Sequence, residues 1–204
     1  MIEVATVEAT ALDRFRELHN RYVDRDESIA TVRKWHEDHP RLLVGAFDGD
    51  ELVGHALGLA PDGDGGAVEL AGLSVVESHR RRGIGSRLVA AIERRAATAG
   101  YDRITLGSAG GYVDEFYLAS GYAAESILVR LDGDRVDGPV NDPGDLPATL
   151  RPAAYRIDRV RRDGATLKLY VAVADHDPAP LDAVRAAFGD PDAIYVLEKE
   201  IDGN

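Results

Sequence analysis

The stretch 73–100, LSVVESHRRRGIGSRLVAAIERRAATAG, constrains this chain more than any other. It opens on an apolar run, crosses three consecutive arginines and a Gly-Ile-Gly step, and continues with Ile84, Leu88, Ala91, Ile92 and Ala96 at helical spacing. Gly100 stands where a helix takes a left-handed residue after its last turn. The pattern predicts strand, glycine turn, amphipathic helix. Such a junction is an anion site made of backbone: the first N–H groups of a helix lack internal partners, and the helix dipole is positive there. Gly83 and Gly85 would let a ligand approach without a Cβ in the way. Arg80, Arg81 and Arg82 add charge and forked donors suited to phosphate oxygens. The competing reading of the same residues is a solvated basic patch ahead of an ordinary helix.

The cluster stands out because the chain is otherwise acidic. Its 36 Asp and Glu against 24 Lys and Arg give a formal charge of -12, and lysine occurs only at Lys34, Lys168 and Lys199. An acidic surface repels phosphate backbones, which argues against nucleic acid as a partner. We read the acidity as adaptation to a salty cytoplasm, where screening to about 3 Å at 1 M salt tolerates self-repulsion. An acidic mesophile composition set by GC-biased codons is the alternative, and equal unfolding midpoints in about 0.1 M and about 3 M KCl would select it. No apolar run of about 18 residues and no leader-like start is present, so a soluble, cytoplasmic protein with no membrane partner is expected. The absence of cysteine removes disulfides, Cys-ligated zinc and any thiol acyl-enzyme.

Apolar spacing predicts a helix over 8–23, with Thr10 as N-cap, and a second over 28–39, stopped by Pro40. RLLVGAFDGDELVGHALGLA reads as a hairpin around Asp48, Gly49 and Asp50, and 61–66 as an acidic loop. AVELAGLSVV is a strand in which Gly72 signals a bulge or a close backbone approach. After the helix that the arginines precede come a strand at 101–108, a short helix at 112–120 ended by Gly121, and a strand at 122–131. This order predicts an α/β (α+β) fold, a mixed sheet with helices on both faces. The Asp-, Gly- and Pro-rich residues 132–151 read as a linker, and 152–204 as a small ββαβ domain with Asp163-Gly164 as its first turn. That appendage could cover an acceptor cleft, extend the sheet or form a homodimer interface.

Both nucleotide fingerprints fail. Leu88 occupies the position of the third dinucleotide glycine, and no Gly-Lys-Ser/Thr occurs. LGSAGG misses the hydrolase elbow because Leu106 replaces its first glycine. The pattern that fits is Arg/Gln-x-x-Gly-x-Gly/Ala after a strand, with an aromatic-Tyr pair and a Gly-aromatic pair downstream, here FYLASGY. With both in place, residues 1–131 resemble the GNAT superfamily of acyl-CoA-dependent N-acyltransferases. The resemblance implies a mostly antiparallel central sheet and a coenzyme A pyrophosphate site at Arg80, Gly83 and Gly85, completed by Arg81, Arg82, Ile84 and Ser86. It also implies that Leu73, Ser74 and Val75 run along the pantetheine arm. Glu77 stands where many members carry proline, and Gly110 with Gly111 where many carry asparagine.

Chemically, the resemblance implies transfer of acetyl from acetyl-CoA, as cosubstrate, to a small-molecule amine or a protein amine. The enzyme must hold the two together, take a proton from the ammonium, stabilise negative charge on the carbonyl oxygen and protonate a thiolate. Tyr117 takes the family's tyrosine position as general acid, since a phenol of pKa about 10 stays protonated at neutral pH. Glu69 is the candidate base, a carboxylate in mid-strand that is either functional or solvent-facing. Backbone N–H at Val75 is the candidate oxyanion donor. A non-catalytic acyl-CoA-binding sensor or scaffold is the competing function. No metal is expected: His36 and His39 in WHEDHP lack further ligands and read as a surface helix end, and PDGDGG lacks the rest of a calcium loop. His176, Asp177, Pro178 and Pro180 read as the start of a helix.

Overall fold

The computed structural model describes residues 1–23, 26–60, 66–108, 112–136, 138–173 and 178–201, the side chains at 112–114 and 178–180 excepted. Two compact units emerge, Met1–Leu106 together with Glu200–Asn204, and Gly107–Lys199.

The first unit contains β1 (Ile2–Thr6), α1 (Leu12–Val23), α2 (Ile29–Asp38), β2 (Leu43–Asp48), β3 (Glu51–Leu59), β4 (Ala67–Val75), α3 (Ile84–Thr98) and the start of β5 (Arg103–Ser108). Strands β1 to β4 are antiparallel neighbours in chain order, and β5 joins β4 in parallel, with Val68 opposite Ile104. One sheet face is covered by α1 and α2, whose Leu12, Phe15, Leu18 and Val32 cluster with Leu43, Leu52 and Leu57. The other face takes α3. Gly54 and Gly58 of β3 make room for it, since a Cβ there would stand 3.3 Å from Leu88 Cδ1 and 3.6 Å from Ile92 Cδ1. Each such buried Leu or Ile contributes about 1.5–3 kcal/mol over an exposed one.

Local signals set the ends of these elements. Ser28 Oγ accepts the Thr31 N–H at 3.1 Å and starts α2. Gly100, at φ +91°, ends α3 while its N–H and that of Tyr101 bond Ala97 O and Ala96 O, the paired C-terminal closure expected of it. Thr10 does not cap α1. It lies inside a 3-10 turn, Ala9–Ala11, where Ala11 N–H already bonds Glu8 O at 2.8 Å, so the chain is wound before Leu12 and no hydroxyl cap is made. Strand β1 is not predicted by the sequence pattern. Gly72 fulfils both of its expectations: Ala71 is extruded from the β3–β4 ladder, where Leu57 pairs Gly72 and Gly58 pairs Leu70, and α1 approaches Gly72 closely.

The second unit holds α4 (Tyr112–Ala119), β6 (Ala123–Asp132), β7 (Ile157–Asp163), β8 (Thr166–Ala172), α5 (Pro178–Phe188) and most of β9 (Asp192–Glu200). Its strands are ordered β9-β6-β8-β7, each antiparallel to its neighbour. The ββαβ order of the last segment is present, yet its strands flank β6. The boundary drawn at 131/132 therefore falls inside this unit, and β6 belongs with the C-terminal strands that pair with it. Between β6 and β7, Gly133–Arg135, Pro143–Asp145 and Ala148–Leu150 are 3-10 turns, and Val140, Leu146 and Leu150 are buried. Asp142 and Asp145 cap one turn reciprocally, and the Arg162 guanidinium donates to Gly133 O and Val136 O. Composition alone suggests a linker because the Arg162 contacts are non-local. Among the described residues, no helix is long and apolar enough to cross a membrane.

Candidate active site

The end of β4 is the first part of the site. Val76 N–H donates to Val53 O at 2.9 Å, which makes Val53/Val76 a bonded pair of the antiparallel ladder. By alternation His55/Ser74 is also a bonded pair, while Gly54/Val75 and Ala56/Leu73 are not. The N–H and C=O groups of Leu73 and Val75 therefore point away from β3. On that side β5 pairs only with Ala67–Glu69, so beyond Glu69 this edge has no ladder partner among the described residues. Arg80 Nε donates to Val75 O at 2.9 Å. The Val75 N–H faces the same edge, where it has no ladder partner among the described residues.

The second part is the turn into α3. Gly83 caps the helix at φ +73°, with no side-chain cap and no acidic residue in the first turn. The leading N–H groups of a 15-residue helix are thus left for an outside acceptor. Chain neighbours and the helix's own backbone aside, no heavy atom of the described residues lies within 4 Å of a Cβ built on Gly83, so the glycine is required by its left-handed φ. Arg81 also adopts a left-handed conformation, φ +63°, which costs a residue with a Cβ about 1 kcal/mol or more. These features fit a diphosphate.

The three arginines differ. Arg80 is clipped to Val75 O and stacks over Tyr22, its guanidinium carbon 5.5 Å from the ring centroid. Arg82 donates to Ser78 O at 2.9 Å. Arg81 is exposed. Two of the three therefore brace the turn, and Arg81 extends from it. The Ile84 side chain is buried, so only its backbone belongs to the cradle, while Gly85 and Ser86 come next in the first turn with Ser86 exposed.

Ser74 does not reach the open edge. Its backbone belongs to a bonded pair with His55, and its hydroxyl lies 2.7 Å from His55 Nδ1 on the α1 side. His55 Nε2 in turn lies 3.0 Å from His19 Nδ1. The two imidazoles are 0% and 2% exposed. Burial, reinforced by the positive charge His19 could carry, pulls the His55 pKa down from 6.5 to about 3. Sequence reasoning missed this chain of side chains. The one local signal is a lone histidine in the apolar run of β3.

Glu69 is exposed on β4, opposite Leu59 on β3 and Thr105 on β5. It lies at the last pair before the β4 edge opens.

In the second unit, Tyr117 of α4 is 7% exposed and sits edge-on between Phe116 and Tyr122, at centroid distances of 5.1 and 5.6 Å. Burial pushes its phenol above the ordinary value of 10, keeping it protonated at neutral pH. Its carbonyl accepts the N–H groups of Ser120 and Tyr122, which closes the helix before Gly121 at φ +89°. Gly110, Gly111, His176 and Asp177, and most of the acidic loop at 61–66, lie outside the described residues. Among those described, no three His, Asp or Glu side chains gather as a metal-ligand set.

The Acetyltransferase (GNAT) family model matches residues 7–122, more than half of the chain. The chain belongs to the GNAT family. It is accordingly an acetyl-CoA-dependent acyltransferase. Solved structures share the fold at low identity. A GNAT-family acetyltransferase of Streptococcus pneumoniae is 10% identical with a TM-score of 0.57, over 98% of this chain and 99% of its own. The ribosomal-protein-S18-alanine N-acetyltransferase of Escherichia coli is 12% identical with a TM-score of 0.55, over 99% of this chain and 95% of its own. Naa50 of Arabidopsis thaliana, in complex with the bisubstrate analogue CoA-Ac-MVNAL, is 13% identical with a TM-score of 0.51, over 84% and 98%. No curated protein matches. The mixed, mostly antiparallel sheet of this GNAT chain agrees with the expected fold class.

Proposed function

We propose that this GNAT protein transfers acetyl from acetyl-CoA directly to a primary amine, carried by a small molecule or a protein. The observation that carries this reading is the pairing, in one unit, of an α3 N-terminus without a side-chain cap behind Gly83 with a β4 edge that, among the described residues, leaves the Val75 N–H without a ladder partner. Backbone N–H of the α3 first turn, with Arg81, would hold the diphosphate, and Leu73 and Val75 would run beside the arm. Acetyl-CoA, when bound, supplies the activated acyl group. The Val75 N–H then stabilises negative charge developing on the carbonyl oxygen. The exposed Glu69 carboxylate takes the proton of the incoming ammonium, directly or through water, and the Tyr117 phenol returns a proton to the departing sulfur. No side chain need become acylated, in keeping with the lack of cysteine.

The deciding experiment mixes the purified protein with acetyl-CoA and a panel of small and peptide amines, with thiol release and calorimetry as readouts. Binding with amine-dependent thiol release is expected. Binding without thiol release for any amine would leave the acyl-CoA sensor in its place.

A further inference from the structure

The His19–His55–Ser74 chain has no part in the chemistry above, yet it is built against the strand that does. A Cβ on Gly72 would stand 2.9 Å from His19 Cε1, 3.0 Å from His19 Nδ1 and 3.4 Å from His55 Nε2. The imidazole–imidazole hydrogen bond therefore lies directly over the Gly72 backbone, on the residue that closes the β4 bulge. Two residues on, the same chain ends at Ser74 Oγ, next to Val75. Phe15 meets His55 edge-on at 4.9 Å, and Trp35 meets His19 edge-on at 5.7 Å, so α1 and α2 fix both rings from behind. Whichever nitrogen donates in each bond, a directional pair inside an apolar shell admits few ring orientations.

We propose that His19 and His55 are positioning residues for acyl transfer: their mutual hydrogen bond over Gly72, extended to Ser74, holds the β4 bulge and with it the aim of the Val75 N–H. This rests on the role of Val75 proposed above. Neither imidazole touches substrate, because both are buried; they act through strand geometry. The bulge is where the strand changes the side to which successive groups point, and an error there is passed on to Val75 three residues later. Misplacing a stabilising donor on this scale costs a reaction heavily while leaving remote binding contacts in place.

The test uses His19, on α1, so that β4 keeps its own sequence. Asparagine can place an amide where Nδ1 was; leucine cannot. With wild-type, His19→Asn and His19→Leu proteins labelled with 15N-valine and 15N-glycine, His19→Leu is expected to shift the Gly72 and Val75 amide resonances. It should also lower kcat about 10-fold, with KM for acetyl-CoA within about 2-fold, a smaller loss than removal of an oxyanion donor gives. His19→Asn should restore kcat and both resonances most of the way. A folded His19→Leu protein with wild-type kcat and unmoved amides would overturn the proposal. If His19→Leu does not fold, His19→Gln replaces it, since its amide lies one bond too far out, and equal behaviour of Gln and Asn would likewise overturn it. Should the wild type prove inactive, the acyl-transfer reading fails by itself, while the amide shifts still decide whether the pair sets the strand.

Discussion

Two ladders of this molecule are made from the same antiparallel pairing, yet they are built differently. Strands β6 and β8 pair through seven consecutive residues, Ser126–Ala172 to Asp132–Thr166, without a register shift. Their inward face is apolar throughout: Ile127, Val129, Leu131, Leu167, Leu169 and Val171 are all buried. The β3–β4 ladder is broken at Ala71, carries a glycine at the break, and is packed there by two histidines and a serine. The regular ladder spends its side chains on burial. The irregular one uses polar groups, at some cost in stability, to bend a strand so that backbone donors emerge at its edge.

The contrast can be broken most forcefully from the regular side. Leu169→Ala, at a fully buried position, should cost about 2–5 kcal/mol in urea unfolding while leaving acetyl-CoA affinity unchanged. Lost affinity would show that the ladder does more than carry stability. The irregular side should reveal itself in acid. His55 is held neutral by a folded-state pKa of about 3 against 6.5 unfolded. Its contribution is complete above pH 6.5 and is lost as pH falls from there towards 3, at up to about 1.4 kcal/mol per pH unit. Chemical unfolding across that range should be steeper in pH for the wild type than for His55→Asn. Gly72→Ala comes next: a methyl 2.9 Å from His19 Cε1 should destabilise by about 1–3 kcal/mol and slow thiol release, whereas a repacked but fully active variant would detach the bulge from the chemistry. Tyr117→Phe tests the acid in the second unit, with kcat expected to fall about 10-fold at little change in stability. The smallest effect is expected of Glu69→Gln, a loss of turnover confined to the low-pH limb, where the amine is most protonated; an unaltered profile would assign the proton to water.

Where the sequence is legible, the information is local. The α3 face, the glycines that bound it, the Asp48–Asp50 turn and the alternation of β8 each depend on residues a few positions apart. The cradle is legible for the same reason, since strand, turn and helix are contiguous. The features that escape depend on distant partners. Strand β1, five residues long, is stabilised by its neighbour β2 more than by any pattern of its own. The Gly133–Arg135 turn is tied by Arg162, and the buried Val140, Leu146 and Leu150 are spaced irregularly. His19 and His55 are 36 residues apart and His55 and Ser74 are 19 apart, and no spacing rule joins them. Ser74 itself is assigned to the ligand edge by its place in a motif, whereas ladder alternation turns both its backbone and its hydroxyl the other way.

The bond from Arg80 to the Val75 carbonyl gives the loop a mechanical meaning. It fastens the first residue of the basic turn to the final residue of the strand, so the helix entrance and the strand tip form a single jaw instead of two independently drifting lips. A molecule seated between them would meet both ends of one tethered span, and the arginine that the motif offers to a phosphate is also the tie across it.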